Sequence, residues 1–351
     1  MDFDKIGVIG LGLLGTALAE RLLHAGRQVV GFDLDAEAVA RLHALGGQPA
    51  ASPADVARSC RCVMLSLPDS TVVKTVVDEL RPAAGEPLLL VDTTTGSPED
   101  SAALGKSLSH DDVEYLDATL VGSSEHVRAG QAIALVGGTT AAFDRARPLL
   151  DRFATDVFHV GPWGSGARMK LIVNLVMGLN RAALAEGLSL ARRMDLDARR
   201  ALEILQAGLS YSRVMDTKGT KMIDEQFTPP HARLSQHLKD VRLMLAEAER
   251  LGIVLPLSET HQQLLERAES LGYGEADVDT KFFEMAGAST FEERHRLARE
   301  LEDMIMEDLP FAPLAVQNGA RVYWSYIRDV PIPVGLQYMW PKRERIWRDD
   351  V

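Results

Sequence analysis

Cysteine is almost absent: the 351 residues hold two, Cys60 and Cys62. They stand one residue apart in an apolar run. Alternate residues of a strand point the same way, which fits two buried thiols better than a disulfide framework. No Cys/His cluster has metal-ligand spacing, so no metal site is expected. Positive charge is also short. Thirty-eight Lys and Arg against 50 Asp and Glu leave a formal charge of −12, which argues against nucleic acid or an anionic membrane as partner. Nowhere do eighteen uncharged apolar residues run together, so no membrane span is expected. The opening MDFDKIGVIG is acidic and runs straight into a strand, unlike a signal peptide, and a cytoplasmic location is expected. Internal repeats and low-complexity tracts are missing too. What remains is a globular composition, 46% hydrophobic and 25% charged, at a length for two domains with an appendage.

Residues 5 to 160 alternate short β-rich runs with helical stretches. The runs are KIGVIG, RQVVGFD, CRCVMLSLP, PLLLVDTTT, EYLDATLV, AIALVGG and a weaker DVFHVG, with GTALAERLLHAG, AEAVARLHALGG and STVVKTVVDEL as helices between the first four. Nearly all-apolar strands alternating with helices predict an α/β fold, a doubly wound parallel sheet covered on both faces. From Ser165 to Met194 a proline-free amphipathic stretch reads as one long helix, and helices continue to about Gly287. Three parts follow: 1–163 as a Rossmann-type dinucleotide-binding domain, 164–288 as an all-helical domain for substrate binding and dimerisation, and 289–351 as an extra tail.

The opening unit carries a phosphate cradle. An apolar strand feeds Gly10-Leu11-Gly12-Leu13-Leu14-Gly15, and a helix begins at once. Gly10 permits the tight turn, Gly12 lets backbone approach a pyrophosphate, and Gly15 lets helix and strand pack closely. The helix N-terminus offers free N–H groups and a positive dipole end. Asp33, eighteen positions after Gly15, ends the second strand. A carboxylate there accepts from the adenosine ribose hydroxyls and repels a 2′-phosphate, so NAD is expected ahead of NADP.

Five ordered motifs extend the pattern: the glycine-rich start, LPDS at 67–70, VDTTTGSP at 91–98, DATLVGSSEHVRAG at 117–130 and GSGARMKLIVN at 164–174. In this order the chain resembles the β-hydroxyacid dehydrogenases, the family of the 3-hydroxyisobutyrate dehydrogenases and tartronate semialdehyde reductases. Its first domain is similar to the NAD-binding domain of 6-phosphogluconate dehydrogenase. The resemblance covers roughly residues 4 to 288, including HLKDVRLMLAEAERLGIVLPL at 237–257. It implies an NAD(P)-dependent dehydrogenase acting on CH–OH groups, with a small hydroxy acid as substrate and a homodimer or homotetramer as the assembly.

Taking a hydride from a secondary alcohol requires a base for the hydroxyl proton. Lys170, with Asn174 four positions on and on the same helical face, suits that task if its surroundings lower its pKa. The resemblance makes Lys170 the catalytic residue and Asn174 a substrate ligand. It also places Lys239 at the nicotinamide end of the cofactor or at the substrate, Thr95 against the nicotinamide, and Leu67 and Pro68 along the adenine side. Thr95 and Pro68 equally suit a polar strand end and a turn. The substrate loop departs from the family. Where relatives commonly have Asp-Ala-Pro-Val-Ser-Gly-Gly, this chain has Asp117-Ala118-Thr119-Leu120-Val121-Gly122-Ser123, so Val121, Gly122 and Ser123 are the substrate-binding candidates, with the Gly122 and Ser123 amides and a hydroxyl available for an anion. His126 and Arg128 read as a solvated helix face.

Two other functions stay open at this level. Imine reduction on the same fold usually replaces the lysine that Lys170 retains, and a non-catalytic NAD-binding sensor or scaffold has no need of Lys170 and Asn174 together. The tail holds three of the four tryptophans, Trp324, Trp340 and Trp347. That density suits a packed or partner-binding segment, whether it wraps a second subunit, closes over the cleft or packs on its own helical domain.

Overall fold

The computed structural model describes residues 3–83, 87–111, 113–228 and 232–279; the tail at 289–351 and the last residues of the helical domain lie outside the described residues. Eight strands form one sheet in the order β3-β2-β1-β4-β5-β6-β7-β8. They are β1 (Lys5–Ile9), β2 (Gln28–Phe32), β3 (Gln48–Pro49), β4 (Cys62–Leu65), β5 (Leu88–Asp92), β6 (Val113–Val121), β7 (Ala132–Gly137) and β8 (Ala154–Gly161). Successive residues feed opposite faces, as a doubly covered sheet requires. Val8, Met64, Leu89 and Val91 enter one buried cluster, and Ile9, Val63, Leu65, Leu88 and Leu90 the other.

Every neighbouring pair is parallel except β6 and β7, which run antiparallel. The expected parallel sheet is therefore mostly parallel. Only ten residues separate Val121 from Ala132, too few for a crossover that brings the chain back to the same direction.

Seven helices dress the sheet: α1 (Leu13–His24), α2 (Ala36–Ala44), α3 (Pro53–Ser59), α4 (Ser70–Leu80), α5 (Pro98–Leu108), α6 (Ser124–Ala129) and α7 (Thr140–Leu150). The apolar periodicity singled out α1, α2 and α4. The other four are too short or too mixed to show a period, yet α3 and α5 open on Ser52-Pro53 and Ser97-Pro98, a side-chain cap followed by a proline at the first helical position. The cysteines need a correction. Both are buried and free, but Cys60 lies beyond the end of α3, outside the strand, and packs in the cluster opposite that of Cys62.

Past β8 the chain enters α8 (Ser165–Arg193), 29 residues without a break. Its start presses against the sheet: a Cβ on Gly166 would stand 2.4 Å from the Asp117 carbonyl oxygen and 2.6 Å from that of Leu135. The rest of α8 packs with α9 (Ala198–Ala207), α10 (Arg213–Ile223), α11 (Leu234–Leu251) and α12 (Pro256–Ala268) around Leu171, Leu184, Leu188, Met222, Leu238 and Leu265.

Candidate active site

The strand order reverses at β1, which has β2 on one side and β4 on the other. In an open α/β sheet this switch point, at the carboxyl ends of the strands, is where a crevice opens. The glycine turn lies there. Gly10 has φ +89°, and a Cβ on it would stand 2.1 Å from the Ser66 carbonyl oxygen. A Cβ on Gly15 would lie 1.8 Å from the Gly10 oxygen, so α1 approaches β1 only through this glycine. Gly12 differs: a Cβ there meets nothing within 4 Å. Its openness does not serve the fold. Leu11 is buried, Leu14 half-buried, and Leu13 is exposed at the turn.

The helix ends reinforce this. In α2 through α7 a side chain of Asp35, Ser52, Asp69, Ser97, Ser123 or Thr139 caps the first turn. α1 starts at Gly12 with no side-chain cap. Its first N–H groups remain open to an anion, as a bound pyrophosphate requires. Asp33, half-buried, accepts from the Leu11 N–H at 2.6 Å and the Asp35 N–H at 2.8 Å. It ties the end of β2 to the turn and puts a carboxylate beside it. The residues present therefore fit a dinucleotide with its phosphates at Gly12 to Leu14.

Opposite the turn, α8 and α11 bring charged side chains into the protein. Lys170 is 8% exposed and its ammonium donates to the Leu120 carbonyl oxygen at 2.6 Å. Burial pulls its pKa below the ordinary lysine value; the Asp240 carboxylate opposes the shift and the Lys239 charge adds to it. Asn174 donates through Nδ2 to Asp240 Oδ2 at 2.9 Å, while its buried Oδ1 has no partner among the described residues. Asp240 is itself pushed up by burial. Lys239 reaches across the crevice. Its Nζ donates to the Thr95 oxygen at 2.6 Å and the Pro68 oxygen at 3.1 Å, and stands 3.5 Å from Asp240 Oδ1. Lys170, Asn174, Lys239, Thr95 and Pro68 are thus linked through Asp240, and Leu67 adjoins them, its N–H donating to Thr94 Oγ1 at 3.1 Å.

In the sequence Asp240 stands out only as the charged neighbour of Lys239 in an apolar helix, with no role of its own. Its signal was a carboxylate inside the apolar run HLKDVRLML, since a buried charge has to be paired. Asp117 was missed in the same way. It accepts from the Gly164 and Ala167 N–H groups, both at 2.9 Å, and so fixes the N-terminus of the helix that carries Lys170.

The loop after β6 is partly committed to structure. Ser123 caps α6: its hydroxyl lies 2.8 Å from His126 Nδ1, its N–H donates to that nitrogen at 3.2 Å, and the His126 N–H donates back to the hydroxyl. Arg128 pairs with Glu20 on the surface. Gly122, with φ +138°, keeps its amide at an exposed position, and Val121 stands half-buried next to the residue that holds Lys170.

Residues 5–161 match the family described as the NAD binding domain of 6-phosphogluconate dehydrogenase, and residues 164–281 that described as the NAD-binding of NADP-dependent 3-hydroxyisobutyrate dehydrogenase. A curated relative, 2-(hydroxymethyl)glutarate dehydrogenase of Eubacterium barkeri, is 31% identical over 78% of this chain and 92% of its own length. The crystal structure of 3-hydroxyisobutyrate dehydrogenase from Salmonella typhimurium superposes with a TM-score of 0.73 at 27% identity, covering 81% of this chain and all of that one. An imine reductase from Myxococcus stipitatus, solved with NAD+, shares the fold at 20% identity and TM-score 0.55, covering 80% of this chain and 99% of its own. The match at 31% identity carries the assignment: the chain belongs to the β-hydroxyacid dehydrogenase family, NAD(P)-dependent dehydrogenases that act on CH–OH groups.

Proposed function

We propose that the protein exchanges a hydride between NAD and the carbinol carbon of a small β-hydroxy acid, with Lys170 as the general acid–base. The observation that carries this is the lysine itself: an ammonium buried on α8, held by one carbonyl oxygen and kept below its ordinary pKa by desolvation. When bound, the nicotinamide supplies the hydride acceptor or donor. Lys170 takes the hydroxyl proton in oxidation and returns it in reduction. Asn174 presents its unpaired Oδ1 to a donor on the substrate, and Asp240 holds the other end of that amide. Lys239 ties the loops after β4 and β5 to α11, so Leu67, Pro68 and Thr95 keep a fixed wall for the cofactor.

Two finer features follow. Asp33 sits where a ribose would meet the turn, and its charge disfavours a 2′-phosphate, which supports NAD over NADP. In the substrate loop, Ser123 is occupied in capping α6, so the groups left are the Gly122 amide and the apolar Val121. The site suits a hydroxy acid with an alkyl group beside the reacting carbon. Imine reduction fits less well, because the role proposed for Lys170 is to take or return a hydroxyl proton, and an imine has no hydroxyl.

A panel of hydroxy acids assayed for NADH formation, with NADP compared, tests the reading. Lys170→Ala is expected to lower turnover by roughly 10²–10⁴-fold with NAD affinity kept, and Asp33→Ala to narrow the preference for NAD. Near-normal turnover in Lys170→Ala, or equal efficiency with NADP in the unaltered enzyme, overturns the corresponding part.

A further inference from the structure

Asp92 ends β5 with its carboxylate inside the protein. It is 4% exposed and stands in register between Leu65 on β4 and Asp117 on β6. Its Oδ1 accepts from the Thr94 N–H at 2.9 Å and its Oδ2 from the Tyr115 hydroxyl at 2.8 Å. No cation among the described residues faces it. A buried carboxylate is ordinarily paired, and a neutral amide would hold the same two partners without burying a charge. Asp117 differs, because the first turn of α8 gives it the Gly164 and Ala167 N–H groups. Lys239 differs as well, with Asp240 beside it.

The position of this uncompensated charge gives it a use. Three residues, at most about 10 Å of chain, separate Asp92 from Thr95. The stretch between is fixed, since the Thr93 N–H and Oγ1 both donate to the Leu65 oxygen, at 2.8 and 2.7 Å. We infer that Asp92 is the counter-charge of the nicotinamide: ionised, it makes the site hold NAD+ in preference to NADH. This rests on the reading that sets the nicotinamide against Thr95. The two forms of the cofactor differ by one positive charge on that ring. A fixed anion on the order of 10 Å away through protein separates their affinities roughly tenfold.

The titratable groups facing Asp92 are Tyr115 and Asp117 of β6. β4 presents Leu65, and α5 the Ser101 hydroxyl, which bonds Tyr115. Burial lifts Asp92 to about 6, against the pull of the Thr94 and Tyr115 hydrogen bonds, and Asp117 adds to the rise. The counter-charge is therefore present at neutral pH and lost as the pH falls through about 6. By reciprocity NAD+ binding drives the Asp92 proton off, and NADH binding does not. At neutral pH the site keeps the oxidised cofactor and lets the reduced one go, which favours oxidation of the hydroxy acid.

Dissociation constants of NAD+ and NADH, measured by calorimetry from pH 5 to 8, test this. NAD+ is expected to gain on NADH by about five-fold, part of the tenfold effect being present already at pH 5. At pH 6 the heat of NAD+ binding is expected to follow the ionisation heat of the buffer, as a released proton requires. Asp92→Asn, whose amide can accept from Thr94 and donate to Tyr115, is expected to flatten the ratio and abolish the buffer dependence. A second variant does not depend on that one. Tyr115→Phe removes a hydrogen bond that favours the carboxylate and is expected to move the midpoint to higher pH. A ratio constant across pH, a pH dependence kept in Asp92→Asn, or an unmoved midpoint in Tyr115→Phe overturns this proposal alone. Failure of both cofactor forms to bind overturns the placement of the nicotinamide, and the proposal with it.

Discussion

At the scale of single residues, the role proposed for Lys170 rests on the burial that strips water from its ammonium outweighing the pull of Asp240. Both act on the same proton equilibrium. Desolvation lowers the pKa and the carboxylate raises it, with Lys239 lowering it again. In the oxidative direction the neutral amine is the active form, so kcat/KM rises with pH through the Lys170 pKa. Asp240→Asn removes the one opposing charge and is expected to move that limb to lower pH, with the reductive limb moving the same way. A pH profile of both directions in the variant checks this. An unmoved limb means that Asp240 does not sense the Lys170 proton. The chemistry of position 170 was legible in the chain but its pKa was not, because the Leu120 carbonyl and Asp240 arrive from 50 and 70 residues away.

At the scale of elements, the turn between β1 and α1 separates two uses of glycine. Gly15 serves the fold: a methyl there would overlap the Gly10 carbonyl, and backbone cannot yield as a flexible side chain can. Gly12 has no such constraint, since a methyl there enters open space, and it is the glycine proposed to face the phosphates. Gly12→Ala is therefore expected to melt within a degree or two of the parent yet bind NAD at least ten-fold more weakly, about 1.4 kcal/mol. Gly15→Ala is expected to lose stability outright, by roughly 1–3 kcal/mol of overpacking. Thermal melts paired with NAD titration separate the two. Unaltered NAD affinity in Gly12→Ala would place the phosphates elsewhere. Strand and helix alternation, the glycine spacing and Asp33 were all legible in the chain, because each is a local pattern of period two, period 3.6 or a fixed turn. The antiparallel β6–β7 pair does not show in the apolar pattern, since both strands are equally apolar; its signal is the ten-residue connection between Val121 and Ala132, too short for a crossover.

At the scale of the whole molecule, stability is expected to depend on pH through two buried histidines. His237 on α11 and His261 on α12 stand with ring centroids 5.1 Å apart against Gly178 of α8. Burial, with the Arg181 charge nearby, lowers them to about 3 and about 4 from an ordinary 6.5. A group whose folded pKa is depressed in this way favours the neutral form. The folded state holds its full advantage above about pH 6.5 and loses it as the pH falls toward 4 and 3, because the unfolded chain takes up the protons first. A tenfold difference in proton affinity between the folded and unfolded chain is worth about 1.4 kcal/mol, so the helical domain is expected to unfold in mild acid. His237→Gln should shift the acid transition, followed by circular dichroism, to lower pH and make it shallower. A transition that keeps its midpoint assigns the acid sensitivity to other groups.

What the sequence determined by itself was the order of the parts: a sheet of alternating apolar strands, a phosphate turn at its first crossing, one long helix and an all-helical body. Those follow from near neighbours, whose spacing sets which face of an element is apolar. Tertiary structure decided which side chains share a space. Cys60 and Cys62, one residue apart, end on opposite sides of the sheet because Cys60 closes α3 and packs with its Val56 and Ala57 on one face, while Cys62 opens β4 and enters the cluster on the other. Ser123, a hydroxyl in the loop after β6, is drawn into capping α6 by His126. Asp240, unremarkable beside Lys239 on α11, joins Asn174 and Lys170 because α11 packs along α8. Burial and electrostatics depend on distances between residues far apart in the chain, and only packing sets those distances.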